Sequence, residues 1–258
     1  MMKPAVLLQA LGASLMVMFT ASSASAATIT LTGTIRDFND NHPDFEKLIK
    51  SDPGIVTSTL GADGKPVYAG QAGNPTTSGE ENFNQWYNDV AGVNQSKQYS
   101  ITLDDTGNPP GIFSYTNNSF FPIDGELLGN QGRNHNYHFT YEIASKFTYK
   151  GGETFKFSGD DDLWVFINKQ RVIDLGGVHQ TQTGTVNLDT LGLTLGKNYD
   201  LNLFFAERHT SQSNFSIATS IDLETPPEVP EPLTIAGTAI AAAFGLWMKR
   251  KQQAAHTA

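Results

Sequence analysis

The chain of 258 residues contains no cysteine, so neither a disulfide nor a thiolate can hold it together or operate it. It is also short of positive charge: 17 Lys and Arg stand against 26 Asp and Glu, for a formal net charge of −9. Nucleic acid and anionic lipid both demand a basic surface, and this balance argues against either partner. It suits a divalent cation or a neutral polymer better. Several catalytic signatures are missing: no G-x-S-x-G elbow, no P-loop, no dinucleotide fingerprint, and no H-E-x-x-H or H-x-x-x-H spacing for zinc. What the chain does have is apolar and turn-forming material, with 39% hydrophobic residues, 16 Phe, 8 Tyr and 24 Gly. That supply is enough for a core, which excludes global disorder. The length suits one large domain with flanking segments, or two small ones.

The two ends read as targeting segments rather than as parts of the fold. Met1 to Ala26 carries one basic residue, Lys3, then an apolar stretch from Ala5 to Phe19 and a small-x-small site at Ala24-Ser25-Ala26. This predicts a secretory signal cut before Ala27; the cleavage site argues against a first transmembrane helix. An exported chain without cysteine must take its stability from core packing, with bound metal as a further source open to it. At the other end, Val229-Pro230-Glu231-Pro232 precedes an apolar run from Leu233 to Met248, followed by Lys249-Arg250-Lys251. The run is shorter than the roughly 20 residues that cross a bilayer comfortably, and the basic cluster fits retention on the cytoplasmic side. This order resembles the PEP-CTERM sorting signal of bacterial envelope proteins. The resemblance implies transient membrane anchoring through residues 233–251, processing by an exosortase near Pro230 to Pro232, and export toward the surface or an exopolysaccharide layer. A permanent anchor is the alternative, and in both cases the intervening domain faces outward.

Between residues 28 and 223 the pattern is mostly β, with a linker over 224–232. Ala27 to Ile35 alternates, placing Ile29, Leu31 and Gly33 on one face. Two short helices are expected next. Pro43-Asp44-Phe45-Glu46 opens one, with Phe45, Leu48 and Ile49 at helical spacing; Phe83, Trp86, Tyr87 and Val90 form the stripe of the other, read as a core face. Asp104 to Asn136 reads as loops around short strands. Strands are expected at Tyr137 to Ile143, Thr154 to Phe157, Leu163 to Ile167, Arg171 to Asp174, Thr185 to Leu188, Tyr199 to Phe205 and Phe215 to Leu223. Short strands with turns between them indicate an all-β antiparallel sandwich or barrel.

The chemistry concentrates at Asp160-Asp161-Asp162, set between two apolar β-type runs. Three adjacent carboxylates repel one another, and a Ca²⁺ held by oxygen ligands at about 2.3–2.6 Å would offset the repulsion. A solvated acidic turn is the other reading. Asn168-Lys169-Gln170 reads as a hairpin turn. Asp174 reads as structural, as do His135 and His138; His179 and His209, beside Glu207 and Arg208, suit either a metal or a polar network that holds loops together. Two carboxylates hydrolyse a glycosidic bond when held roughly 5–9.5 Å apart around it. Asp160 and Asp161 are too close for that, whereas Asp161 with Glu207 is a candidate pair.

The run Phe155 to His179, with Leu203 to Leu223, resembles the fibro-slime domain of the wider PA14-type β-sandwich group. Further matching segments are Thr34 to Lys47, Glu81 to Asn94 and Asn134 to Ile143, so the resemblance covers most of the chain between its ends. It implies a PA14-like fold in which Asp160 and Asp161 coordinate Ca²⁺, often across a cis peptide bond, and the ion touches sugar hydroxyls. Asp162 departs from the pattern, which commonly has Gly there. The second loop of the site falls at Glu207 to Asn214, which makes Glu207, Ser211 and Asn214 the candidate carbohydrate-binding residues. The expectation is therefore a non-enzymatic, surface-sorted protein that binds Ca²⁺ and a carbohydrate or exopolysaccharide matrix. A structural matrix protein with no specific ligand and a glycosidase-like enzyme are the alternatives.

Overall fold

The computed structural model describes residues 27–107 and 109–224. Fourteen strands run in chain order: β1 (Thr28–Phe38), β2 (Lys50–Ser51), β3 (Val56–Leu60), β4 (Pro66–Tyr68), β5 (Asn94–Asp104), β6 (Phe113–Asn117), β7 (Phe139–Thr148), β8 (Thr154–Asp160), β9 (Asp162–Ile167), β10 (Gln170–Leu175), β11 (Gly177–Val178), β12 (Gln182–Asn187), β13 (Asn198–Glu207) and β14 (Asn214–Thr219). One helix, α1 (Glu80–Phe83), and a 3₁₀ turn at Leu188–Leu191 complete the set. The fold is all-β, as expected. Twelve strands form one antiparallel sheet in the order β12-β8-β14-β6-β5-β1-β7-β13-β9-β10-β3-β4, and β11 pairs with β2 alone. The sheet curls until β12 meets β10. Gly184 in β12 permits that approach, because a Cβ there would lie 2.4 Å from Ile173 Cγ2.

Alternation decides which side chains enter the curl. Ile29 and Leu31 of β1 point inward beside Ile101 and Leu103 of β5, Tyr141 and Ile143 of β7, Phe155 and Phe157 of β8, and Phe215 and Ile217 of β14. β9 is buried on both faces. Leu163, Val165 and Ile167 join the main core, while Trp164 and Phe166 face a second cluster with Phe204, Phe83, Trp86, Tyr87 and Ile55. Its uninterrupted apolar sequence follows from serving two cores at once.

Three local expectations are corrected. Phe45, Leu48 and Ile49 form no helix: Glu46 sits at φ 54, in the left-handed region, and its amide bonds Arg208 O at 2.8 Å instead of a preceding turn. Phe45 is buried, but Leu48 and Ile49 are 62% and 61% exposed. The aromatic stripe is a core face as read, with Phe83, Trp86 and Tyr87 buried, but α1 ends at Phe83 and the chain continues in turns such as Trp86 N to Phe83 O at 3.0 Å. Third, β5 was not anticipated. Its polar sequence is carried by an eleven-residue register with β1, from Thr28 opposite Asp104 to Phe38 opposite Asn94.

Candidate cation and carbohydrate site

The acidic triplet is where the chain changes sheet neighbours. Asp160 ends β8, which pairs with β12 and β14, and Asp162 begins β9, which pairs with β10 and β13. Only Asp161 lies between, and the Asp160–Asp161 peptide bond is cis. The triplet is therefore no solvated turn: the three residues are 3%, 6% and 0% exposed.

Each carboxylate has its own partners. Asp160 Oδ2 accepts from Asn214 Nδ2 at 2.8 Å and from Thr181 Oγ1 at 3.1 Å, while its Oδ1 accepts the Asn214 amide. Asp161 accepts only backbone amides, His179 N on Oδ1 and Arg208 N on Oδ2, both at 3.1 Å. Asp162 accepts Gly177 N at 2.6 Å and forms a fully buried ion pair with Arg208 Nε at 2.6 Å. Arg208 also donates to the carbonyls of Asp44 and Thr76, and its guanidinium carbon lies 4.6 Å from the Trp86 ring centroid. Arg208 thus ties three loops together, which is the polar network suggested for this segment. Desolvation pulls the Arg208 pKa down, and Asp162, Asp161 and Asp44 more than restore it.

Glu207, expected to touch sugar, is instead 0% exposed at the end of β13. Alternation turns this residue inward, and it is not among the residues that line the cavity at Asp160 and Asp161. Burial, then Asp161 and Asp160, drive its pKa well above the usual carboxylate range, against smaller lowering effects of Ser213 and the His209 amide. Within the described residues neither Glu207 Oε2 nor Ser213 Oγ makes a hydrogen bond of sound geometry. Burial likewise pushes Asp161 up to about 8, with Asp162 and Asp160 adding to it and Arg208 opposing.

A cavity of about 350 Å³ opens on this cluster. Asp160 and Asp161 line it, joined by Val178, His179 and Gln180 from the β11 segment, by His209, Ser211 and Gln212 from the loop before β14, and by Ile49. The structure thus brings Asp160, Asp161 and Ser211 to one cavity. Asn214 is half-buried and grips Asp160 with both of its nitrogens. The ring nitrogens of His179 face backbone carbonyls, Nδ1 at 2.9 Å from Gln180 O and Nε2 at 3.1 Å from Leu175 O. His209 Nδ1 meets Thr210 O at 3.0 Å. Both histidines are bound up in loop structure, as the network reading had it.

Does this cluster fit a hard cation? Among the described residues no group of three or more His, Cys, Asp and Glu side chains is arranged to enclose a metal. An ion here must complete its shell with carbonyl, hydroxyl or water oxygens, which Ca²⁺ accepts readily. The charge balance favours one. Three buried carboxyls, Asp160, Asp161 and Glu207, share a single guanidinium that is already committed to Asp162. Asp160 Oδ1 and both Asp161 oxygens accept one hydrogen bond each and retain a lone pair for a metal, whereas Asp160 Oδ2 already accepts two. These oxygens are part of a shell that Ca²⁺ would complete with water or backbone oxygens.

Two expectations fall elsewhere. His135 stacks on Phe121 at 4.0 Å and pairs with Asp124, and buried His138 meets Glu46 Oε1 at 2.8 Å, so both serve structure. The signal segment and the C-terminal sorting segment lie outside the described residues; within these, no helix is long and apolar enough to cross a membrane.

Residues 113–231 match the PA14 domain family. The chain carries a PA14-like domain. Among curated proteins it is 46% identical over 186 residues to protein psiQ of Dictyostelium discoideum, covering 67% of this chain and 19% of that protein. Protein psiC of the same organism is 38% identical over 218 residues, covering 76% of this chain and 42% of the relative. The chain therefore spans less than half the length of these relatives. Among solved structures it is similar to the PA14 domain of the MpAFP antifreeze protein, at 10% identity and TM-score 0.34, covering 81% of this chain and 89% of that one. A second is a PA14 sugar-binding domain from an RTX adhesin, at 10% identity and TM-score 0.31, covering 77% and 96%.

Proposed function

We propose that this chain is an exported binding protein that holds Ca²⁺ at Asp160 and Asp161 and, beside the ion, the hydroxyls of a carbohydrate or exopolysaccharide matrix. One observation carries the reading: two carboxyls, Asp160 and Asp161, are buried at a single cavity while the neighbouring guanidinium is committed to Asp162. A bound divalent ion offsets that charge and draws vicinal hydroxyls toward itself. Asn214 orients Asp160, and Ser211 contacts the sugar from the cavity wall. Glu207, buried and outside the cavity lining, does not touch the ligand. The PA14-like match supports a binding role. Export, exosortase processing and transient membrane anchoring rest on Met1 to Ala26 and Val229 to Lys251 alone. The mass of the mature protein from cells tests that part.

A glycosidase is disfavoured, because Glu207 is enclosed and Asp160 and Asp161 are adjacent, leaving no pair of carboxyls on opposite sides of a cleft ligand. The deciding measurement is calorimetric titration of the full chain with CaCl₂, paired with thermal unfolding in Ca²⁺ and in chelator. Heat of binding, a raised Tm by mass action and Ca²⁺-dependent glycan-array binding support the proposal. No heat and no Tm shift in the wild-type protein overturn it, without recourse to any variant that fails to fold.

A further inference from the structure

We infer that the loop carrying Leu48 and Ile49 makes the cavity selective for sugars bearing a methyl group, with Ile49 as the specificity-determining residue. This rests on the carbohydrate reading above and goes beyond it by naming the ligand class. Ile49 lines the cavity that holds Asp160 and Asp161, yet its side chain is 61% exposed, and the neighbouring Leu48 is 62% exposed. Two adjacent aliphatic side chains left in water lose the stabilisation that covering them supplies. Neither belongs to either hydrophobic cluster.

Their position is fixed by the fold. Glu46 turns the chain at φ 54 and ties this loop to the opposite wall of the cavity. Its amide donates to Arg208 O at 2.8 Å, and its Oε1 accepts Thr210 N at 3.2 Å, the Thr210 hydroxyl and His138 Nε2 at 2.8 Å. Ile49 is three residues beyond Glu46, and His209 and Ser211 flank Thr210. The cavity is thereby polar at the aspartates and apolar at one edge. A ligand that matches both presents hydroxyls to the ion and an apolar group to Ile49. A methyl is the smallest such group, and two sugar classes supply one: the C6 methyl of a 6-deoxyhexose and the acetyl methyl of an N-acetylhexosamine. Covering a single methyl against Ile49 is worth about fourfold in affinity.

The test uses the full chain loaded with Ca²⁺ and measures binding of L-fucose, L-rhamnose, N-acetylglucosamine, galactose and glucose by calorimetry. The wild-type protein is expected to prefer one methyl-bearing class over galactose and glucose by about fourfold or more; which class wins identifies the source of the methyl. Ile49→Ser, at an exposed site, is expected to keep its Tm and Ca²⁺ affinity and to lose that preference. Equal binding of all five sugars by the wild type, or an unchanged preference in Ile49→Ser, overturns this inference and leaves the Ca²⁺-dependent carbohydrate reading intact. Binding of neither Ca²⁺ nor sugar overturns both. Ca²⁺ binding without any sugar binding overturns this inference and the carbohydrate half of the proposal.

Discussion

Arg208 Nε donates to Asp162 Oδ2 at 2.6 Å, and neither side chain is exposed. Asp162 is the one carboxylate of the triplet with a cation of its own. The other guanidinium contacts, to the Asp44 and Thr76 carbonyls, anchor the long connection between β1 and β5 against the end of β13. Removing one partner strands the other as an uncompensated buried charge. Asp162→Ala is therefore expected to cost about 3–5 kcal/mol in chemical denaturation. Arg208→Lys is expected not to restore the wild-type value, since a single ammonium cannot reproduce the fork that meets Asp162 and two carbonyls. A loss below 1 kcal/mol in Asp162→Ala, by the same ΔG measurement, would contradict the pin.

Proton and metal compete at Asp161. Its carboxyl is raised by burial to about 8 from 3.8, so the folded protein binds this proton more tightly than the unfolded chain does. The resulting stability is fully present below the unfolded value and is lost as pH rises through the folded one. Asp37 acts in the same direction: burial raises it to about 6 despite hydrogen bonds from Asn136 and Leu128. The metal-free protein is expected to lose stability between pH about 4 and about 8, the span of the Asp161 shift. Ca²⁺ needs the carboxylate, so its affinity is expected to rise about tenfold per pH unit below the folded value, with release of one proton on binding. Calorimetry in buffers of different ionisation enthalpy measures that proton. A Ca²⁺ affinity independent of pH across the window would remove Asp161 from the site.

Glu207 distinguishes a contact role from a charge role. Burial holds its carboxyl protonated well above the usual range, so in the metal-free protein the neutral isostere changes little. Glu207→Gln is expected to unfold within about 1 kcal/mol of wild type, whereas Glu207→Ala, which empties a fully buried site, is expected to cost about 2–4 kcal/mol. Turnover of an exopolysaccharide that disappears in Glu207→Gln would instead establish the glycosidase.

Periodicity made part of this molecule legible and long-range pairing hid the rest. The alternation of Ile29 and Leu31 gave β1, and the apolar run Leu163 to Ile167 gave β9, because burial imposes those patterns directly. β5 escaped because its pairing with β1 lies in backbone hydrogen bonds, to which a sequence rich in Gln, Ser and Lys offers no clue. The spacing of Phe45, Leu48 and Ile49 suggested a helix because spacing cannot register a left-handed Glu46 or its bond to Arg208. The acidic triplet stood out, but the division of labour within it depended on Arg208, 46 residues beyond Asp162. The inward turn of Glu207 was within reach: it follows the buried run Phe204 to Ala206, and a paired strand continuing one residue further encloses it.

The hairpin between β9 and β10 supplies a last, independent check on the fold. Asn168 and Lys169 lie at φ 50 and 65, the arrangement of a two-residue type I′ turn. Asn tolerates the left-handed region, but Lys pays the full steric cost of its Cβ there. The Lys169 carbonyl accepts Leu60 N at 3.0 Å, a backbone bond that any residue at this position keeps. Lys169 is exposed, so its side chain contributes no core packing. Lys169→Gly is expected to raise stability by about 1 kcal/mol, the relief of left-handed strain outweighing the added freedom of glycine in the unfolded chain. Equilibrium denaturation reads the change. A loss of stability would mean that Lys169 does not occupy this turn as described, and would call the register of β10 on β9 into question.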